Sequence, residues 1–202
     1  MAGGNWARGN YAANAGNGMF WLGSGSSGEH ALIRDASGLI VESTNNIVGY
    51  NYAVGPPGVP GMGVMSANSS VAVEHIVDGA SNTALIDEIR VGWNANDIRG
   101  TWAMGLVGAS IISASGRGDS PGPNISHHHY DDIDNCQDDP KRGMGCCPGC
   151  GSWQVTAKSM HTVGVHVCFA DGSVRFVSNN ISQRDYQLIH GRADALIPSG
   201  EY

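Results

Sequence analysis

The sequence predicts an α+β fold, mainly β: a glycine-rich antiparallel sheet body with long loops, a C-terminal β-hairpin and a short C-terminal helix. Three observations carry this prediction. Apolar residues alternate at Val163, Val165, Val167 and Phe169, Asp171-Gly172 follows, and an extended pattern resumes over 174–177. Ser182, with Asp185 three residues on, has the form of a helix N-cap, and Gly191 ends the stretch. Thirty glycines beside only 14% charged residues describe a loop-rich folded body.

Read as a two-residue type I′ turn, Asp171-Gly172 sets the hairpin register. Phe169 then faces Val174 and Val167 faces Phe176, so these four share one face, and His166, Cys168, Arg175 and Val177 share the other. In the helix, Ile181 and Tyr186 occupy the positions of a hydrophobic staple, and His190 lies in the last turn, where the helix dipole favours positive charge.

Upstream, the signals are weaker. The apolar run 19–22 is expected as a buried strand, and the G-x-G-x-x-G match over 23–28 lacks the amphipathic helix of a dinucleotide fold, so it is expected as a surface loop. Residues 39–48 suggest short strands, and three prolines break 50–65 into a loop. Helical turns over 70–77 lead into the turn cluster Asp78-Gly79-Ala80-Ser81-Asn82-Thr83 and a strand over 84–91. A cation site of Asp78, Asn82 and Glu88 is an alternative to plain turn chemistry here. Residues 100–112 are expected as a glycine-broken strand with Trp102 packed on the core.

After residue 112 regular pattern is lost for some forty residues, as in a binding loop or one held by cross-links. Four of the five cysteines fall here: Cys136, Cys146, Cys147 and Cys150. Cys147 and Cys150 have the spacing of a zinc half-site, but a second pair of ligands is missing, which favours disulfides from Cys136 to one of the other three. Cys168, in mid-strand, is the expected free thiol. Asp132, Asp134 and Asp138 mimic part of a calcium loop without its glycine and terminal glutamate, leaving calcium as the one candidate cofactor. Arg117-Gly118-Asp119 is ordinary turn composition, and consecutive His127, His128 and His129 cannot all reach one ion from an extended chain.

A net charge of −7 argues against nucleic acid as a partner. No apolar run reaches spanning length, so no membrane insertion is expected for these residues. No G-x-S-x-G, H-E-x-x-H or paired C-x-x-C motif occurs, which leaves an enzyme reading without a nucleophile or metal motif.

Nine residues separate His161 from Asp171-Gly172, and this stretch resembles the H-X9-DG domain of bacterial prepilin-type secreted proteins. Residues 10–16, 76–83, 99–103 and 167–177 resemble that family's recurring blocks in the same order. The resemblance implies one pilin-like globular domain over 1–202, with 113–157 as a long Cys/Asp/Gly-rich loop and 160–191 as hairpin plus helix. The family's long hydrophobic N-terminal helix has no counterpart here, so the expectation is a pilin- or pseudopilin-like head without its stalk. His161 and Asp171, ten extended steps or roughly 30 Å apart, are expected to be structural, as are Gly172, Asp78, Gly79, Ser81, Asn82 and Thr83. The function expected is a non-enzymatic structural subunit, outside the cell or on its surface, forming a homo-oligomer or filament. The alternative is a secreted module that binds a glycan or small ligand on Trp6, Trp21, Trp93 or Trp102.

Overall fold

A computed structural model of the chain describes residues 6–16, 33–34, 40–41, 63–65, 70–113, 115–116, 120–126, 130–150, 153–200 and 202. The expected strand over 19–22, the loop 23–28, Trp21, Arg117-Gly118-Asp119 and the histidines 127–129 lie outside these residues. The strands are β1 (Tyr11–Asn14), β2 (Ile33–Arg34), β3 (Ile40–Val41), β4 (Ala84–Glu88), β5 (Ile111–Ile112), β6 (Gly164–Phe169) and β7 (Val174–Ser178), followed by helix α1 (Gln183–His190). Five strands form one sheet in the order β5-β1-β4-β6-β7, and β2 pairs with β3 alone. The fold is α+β, mainly β. The sheet is mixed and not purely antiparallel as expected, because β5 runs parallel to β1. The expected strand over 100–112 contracts to β5, preceded by turns, and only a 3-10 turn (Val73–His75) forms within 70–77.

The hairpin forms where predicted, but its register differs by one residue. Cys168 pairs with Val174, His166 with Phe176 and Val165 with Val177. Phe169 N donates to Ser173 O at 2.8 Å and Gly172 N to Phe169 O at 2.9 Å, which closes a three-residue loop. Of the Asp-Gly pair only Gly172 takes a positive φ, 84°, as a type I turn with a glycine bulge requires; a type I′ turn would need both. The side-chain period of a strand is two, so the slip turns every β7 residue over. Val174 and Phe176 leave the expected core face, and Val177 joins Val165, Val167 and Phe169 in the buried cluster.

Helix α1 covers that cluster with Tyr186 and Ile189. Ser182 Oγ accepts from Asp185 N at 3.0 Å, so the predicted cap is made. His190, in the last turn, is fully buried, with Nδ1 2.7 Å from Tyr186 O and Nε2 3.1 Å from Asp87 Oδ1. A carbonyl only accepts, so Nδ1 donates to Tyr186 O. The Tyr186 hydroxyl, pushed up by burial and the nearby Asp87 charge, meets Thr156 Oγ1 at 2.8 Å and accepts from Ala157 N.

The long loop is fastened by a buried charge network. The Arg99 guanidinium donates to Asp97 Oδ1 and Oδ2, Asp131 Oδ2, Gly145 O and Gln137 O, using all five of its N–H groups. Lys158 Nζ takes the other Asp131 oxygen. Burial pulls Lys158 down despite the Asp131 charge; in Arg99 the same effect is outweighed by Asp97 and Asp131, which hold it up. Two cations and two carboxylates balance there, away from water. Disulfides join Cys136 to Cys146 and Cys147 to Cys150, while Cys168 keeps a free thiol.

Candidate functional site

The two faces of the sheet differ. One is packed under α1; the other carries a cleft of about 480 Å³ lined by Tyr11, Ile86, Glu88, His161, His166, Cys168 and Val174. Strand pairing builds it in rows. Tyr11 is the partner of Glu88 in the β1–β4 ladder, and Ile86 is the partner of Cys168 in the β4–β6 ladder. Cys168 in turn faces Val174, and His166 faces Phe176.

Glu88 ends β4 and is the fixed centre of the cleft. Its Oε2 accepts from His166 N at 2.7 Å, which locks the carboxylate and leaves Oε1 pointing between two imidazoles. His166 Nδ1 lies 3.4 Å and His161 Nε2 3.6 Å from that oxygen. The imidazoles meet edge to face at 4.8 Å, and Phe176 stands edge-on to both, at 5.1 Å from His166 and 6.0 Å from His161. Gly164 makes room for this ring, because a Cβ there would lie 2.7 Å from Phe176 Cε1 and 2.2 Å from Val177 O. His161 is placed by its backbone: its N donates to Ser159 Oγ at 3.1 Å, and its O accepts from Asn124 Nδ2 at 3.3 Å. The ligand atoms of Glu88, His161 and His166 all lie within 4.8 Å of one another.

Residues 7–184 match the family described as "Protein of unknown function (DUF1559)", SBP_bac_10. The chain belongs to this family. No match is found among curated proteins or solved structures.

The DUF1559 match spans every element of the cleft. Within it, Asp171 sits at the far end of β6 from His161, where its Oδ1 accepts from Ser173 N at 2.9 Å and steadies the turn. Asp78 does not join Glu88: its carboxylate accepts from Asp194 N and Ala195 N, and Asn82 Nδ2 donates to Asp78 O. Thr83 Oγ1 donates to Gly79 O at 3.1 Å, Ser81 lies exposed in the same turn, and Ala80 O and Thr83 O accept from Asp171 N and Ala170 N. The two Asp-Gly turns therefore brace each other. The calcium candidates do not converge among the described residues: Asp132 is buried, Asp134 is exposed, and Asp138 Oδ1 accepts from Cys146 N. Trp102, expected in the core, is 63% exposed, and Trp6 and Trp93 are exposed too.

Sequence reasoning placed His161 at the strand's start but missed its partners. His166 lies on the less buried side of an alternating strand, but a spacing of five would put it on the opposite face from His161 in an extended strand, and the two meet only because His161 precedes β6. Glu88 is named as a candidate cation ligand, but with Asp78 and Asn82 in place of the two histidines it meets.

Proposed function

We propose that this DUF1559 member is a non-enzymatic structural subunit, the pilin-like head of a protein that assembles with its own copies outside the cell or on its surface. The observation that carries this reading is the open face of the sheet. β7 is its terminal strand and exposes Val174 (63%) and Phe176 on this face, while Tyr11, on β1 at the other side of the cleft, is 61% exposed. A terminal strand next to exposed apolar side chains is a template for pairing with another chain. The two disulfides fit an oxidising compartment. Size-exclusion chromatography with light scattering, and electron microscopy of the same fractions, test the reading. Wild type should form multimers or filaments and Val174→Lys should not; a wild-type chain that stays monomeric at every concentration would refute it.

A second reading rests on the exposed indoles of Trp6, Trp93 and Trp102, which are available to stack on a sugar ring. Arg142 already lies over the Trp93 ring at 5.6 Å. Quenching of tryptophan fluorescence by a glycan, abolished by Trp102→Ala, would favour this second reading.

A further inference from the structure

We propose that Glu88, His161 and His166 form a binding site for a divalent transition metal, with zinc the best match. The distances are the first argument. At 3.4 and 3.6 Å, the contacts from Glu88 Oε1 to the two imidazole nitrogens exceed the ordinary hydrogen-bond range of about 2.7–3.2 Å. Ligand bonds of about 2.0–2.2 Å in tetrahedral geometry put neighbouring ligand atoms roughly 3.3–3.6 Å apart, and these contacts fall in that range. The third edge, within 4.8 Å, closes by rotation of His161, whose side chain is exposed.

Donor chemistry selects the ion. Two imidazoles and one carboxylate suit zinc and its first-row neighbours, whereas calcium takes oxygen ligands throughout. The support of the ligands is the third argument. Glu88 Oε2 is tied to the His166 backbone, Phe176 packs against both rings, and Ser159 and Asn124 hold the chain at His161. Glu88 and His166 held in this way lose little freedom when an ion arrives, and the His161 imidazole turns in from an anchored backbone. Three protein ligands leave a fourth position open towards the cleft, where water completes the shell.

The test uses the full, untagged chain, stripped with chelator and titrated with Zn²⁺ by calorimetry and with Co²⁺ by visible absorption. One ion per chain and an intense tetrahedral Co²⁺ spectrum are expected. His161→Gln and His166→Gln should each weaken binding at least tenfold. Replacing His127, His128 and His129 together by alanine should leave it unchanged, which separates this site from adventitious binding by the histidine triple. For a variant that fails to fold, the wild-type chain supplies the answer: Zn²⁺ should protect His161 and His166 from diethylpyrocarbonate, read by peptide mass. Absence of binding, binding indifferent to both glutamine variants, binding lost with the 127–129 triple, or no protection of the two histidines would each overturn the proposal.

Discussion

Replacing Arg99 by methionine tests whether the buried charge network holds the long loop to the body. Methionine keeps much of the side-chain bulk and removes all five N–H donors. Asp97 and Asp131, both fully buried, would then face Lys158 as the remaining cation, so a neutral cluster becomes one with a net charge of −1. Gln137 O and Gly145 O, on the two arms of the Cys136–Cys146 loop, lose their donor as well. Breaking a buried pair from one side costs about 3–5 kcal/mol. In a domain of this size each kcal/mol lowers Tm by about 2–4 °C, so a fall of roughly 6–20 °C is expected in thermal melts of the oxidised protein. Arg99→Lys restores the charge without the planar fork and should recover only part of the loss. A fall under about 1 kcal/mol for Arg99→Met, or full recovery by lysine, would refute the claim that the fork holds the loop.

Two further outcomes are expected. Gly172→Val should cost about 1–2 kcal/mol through its backbone alone, since a Cβ at this position meets nothing within 4 Å while φ is 84°; Gly172→Asn should cost much less, and equal melting of the two variants would contradict the turn assignment. The Asp185 carboxyl is pushed up by burial, but bonds from Ser199 N, Ser199 Oγ and Ser182 Oγ and the Arg184 charge outweigh this and leave it below the usual carboxylate range. Its stabilisation is therefore complete above the unfolded value near about pH 4 and is lost as pH falls through the lower folded value. Asp185→Asn should destabilise by about 1–2 kcal/mol at pH 7 in urea melts and by less near pH 2, and a penalty that grows with acidity would reverse the assigned sign.

What was legible in the sequence was local. The Ser182 cap, the alternation in β6 and the turn cluster from Asp78 to Thr83 each depend on neighbours within a few residues, and each appears where it was expected. The hairpin register was not legible, because Asp-Gly suits both a two-residue turn and the end of a three-residue loop. That one-residue ambiguity decided whether Phe176 entered the core or stood against His166. The cleft was hidden for a different reason. Glu88 and His166 meet only because β4 lies beside β6, and strand order is fixed by long-range packing that no local spacing encodes. The Trp102 assignment failed because a large apolar side chain is no guarantee of burial in a chain this rich in loops.

The strand order also constrains how the chain matures. β4 takes β1 on one side and β6 on the other, so a polypeptide emerging from its amino end keeps one flank of β4 bare until residues 164–169 have been made. Lys158 and the helix over the inner face arrive as late as those strands. Closure of such distant segments is slow, and it leaves the earlier part of the polypeptide pliant in the interval. The five-stranded sheet can therefore be completed only once the last quarter of the chain is available.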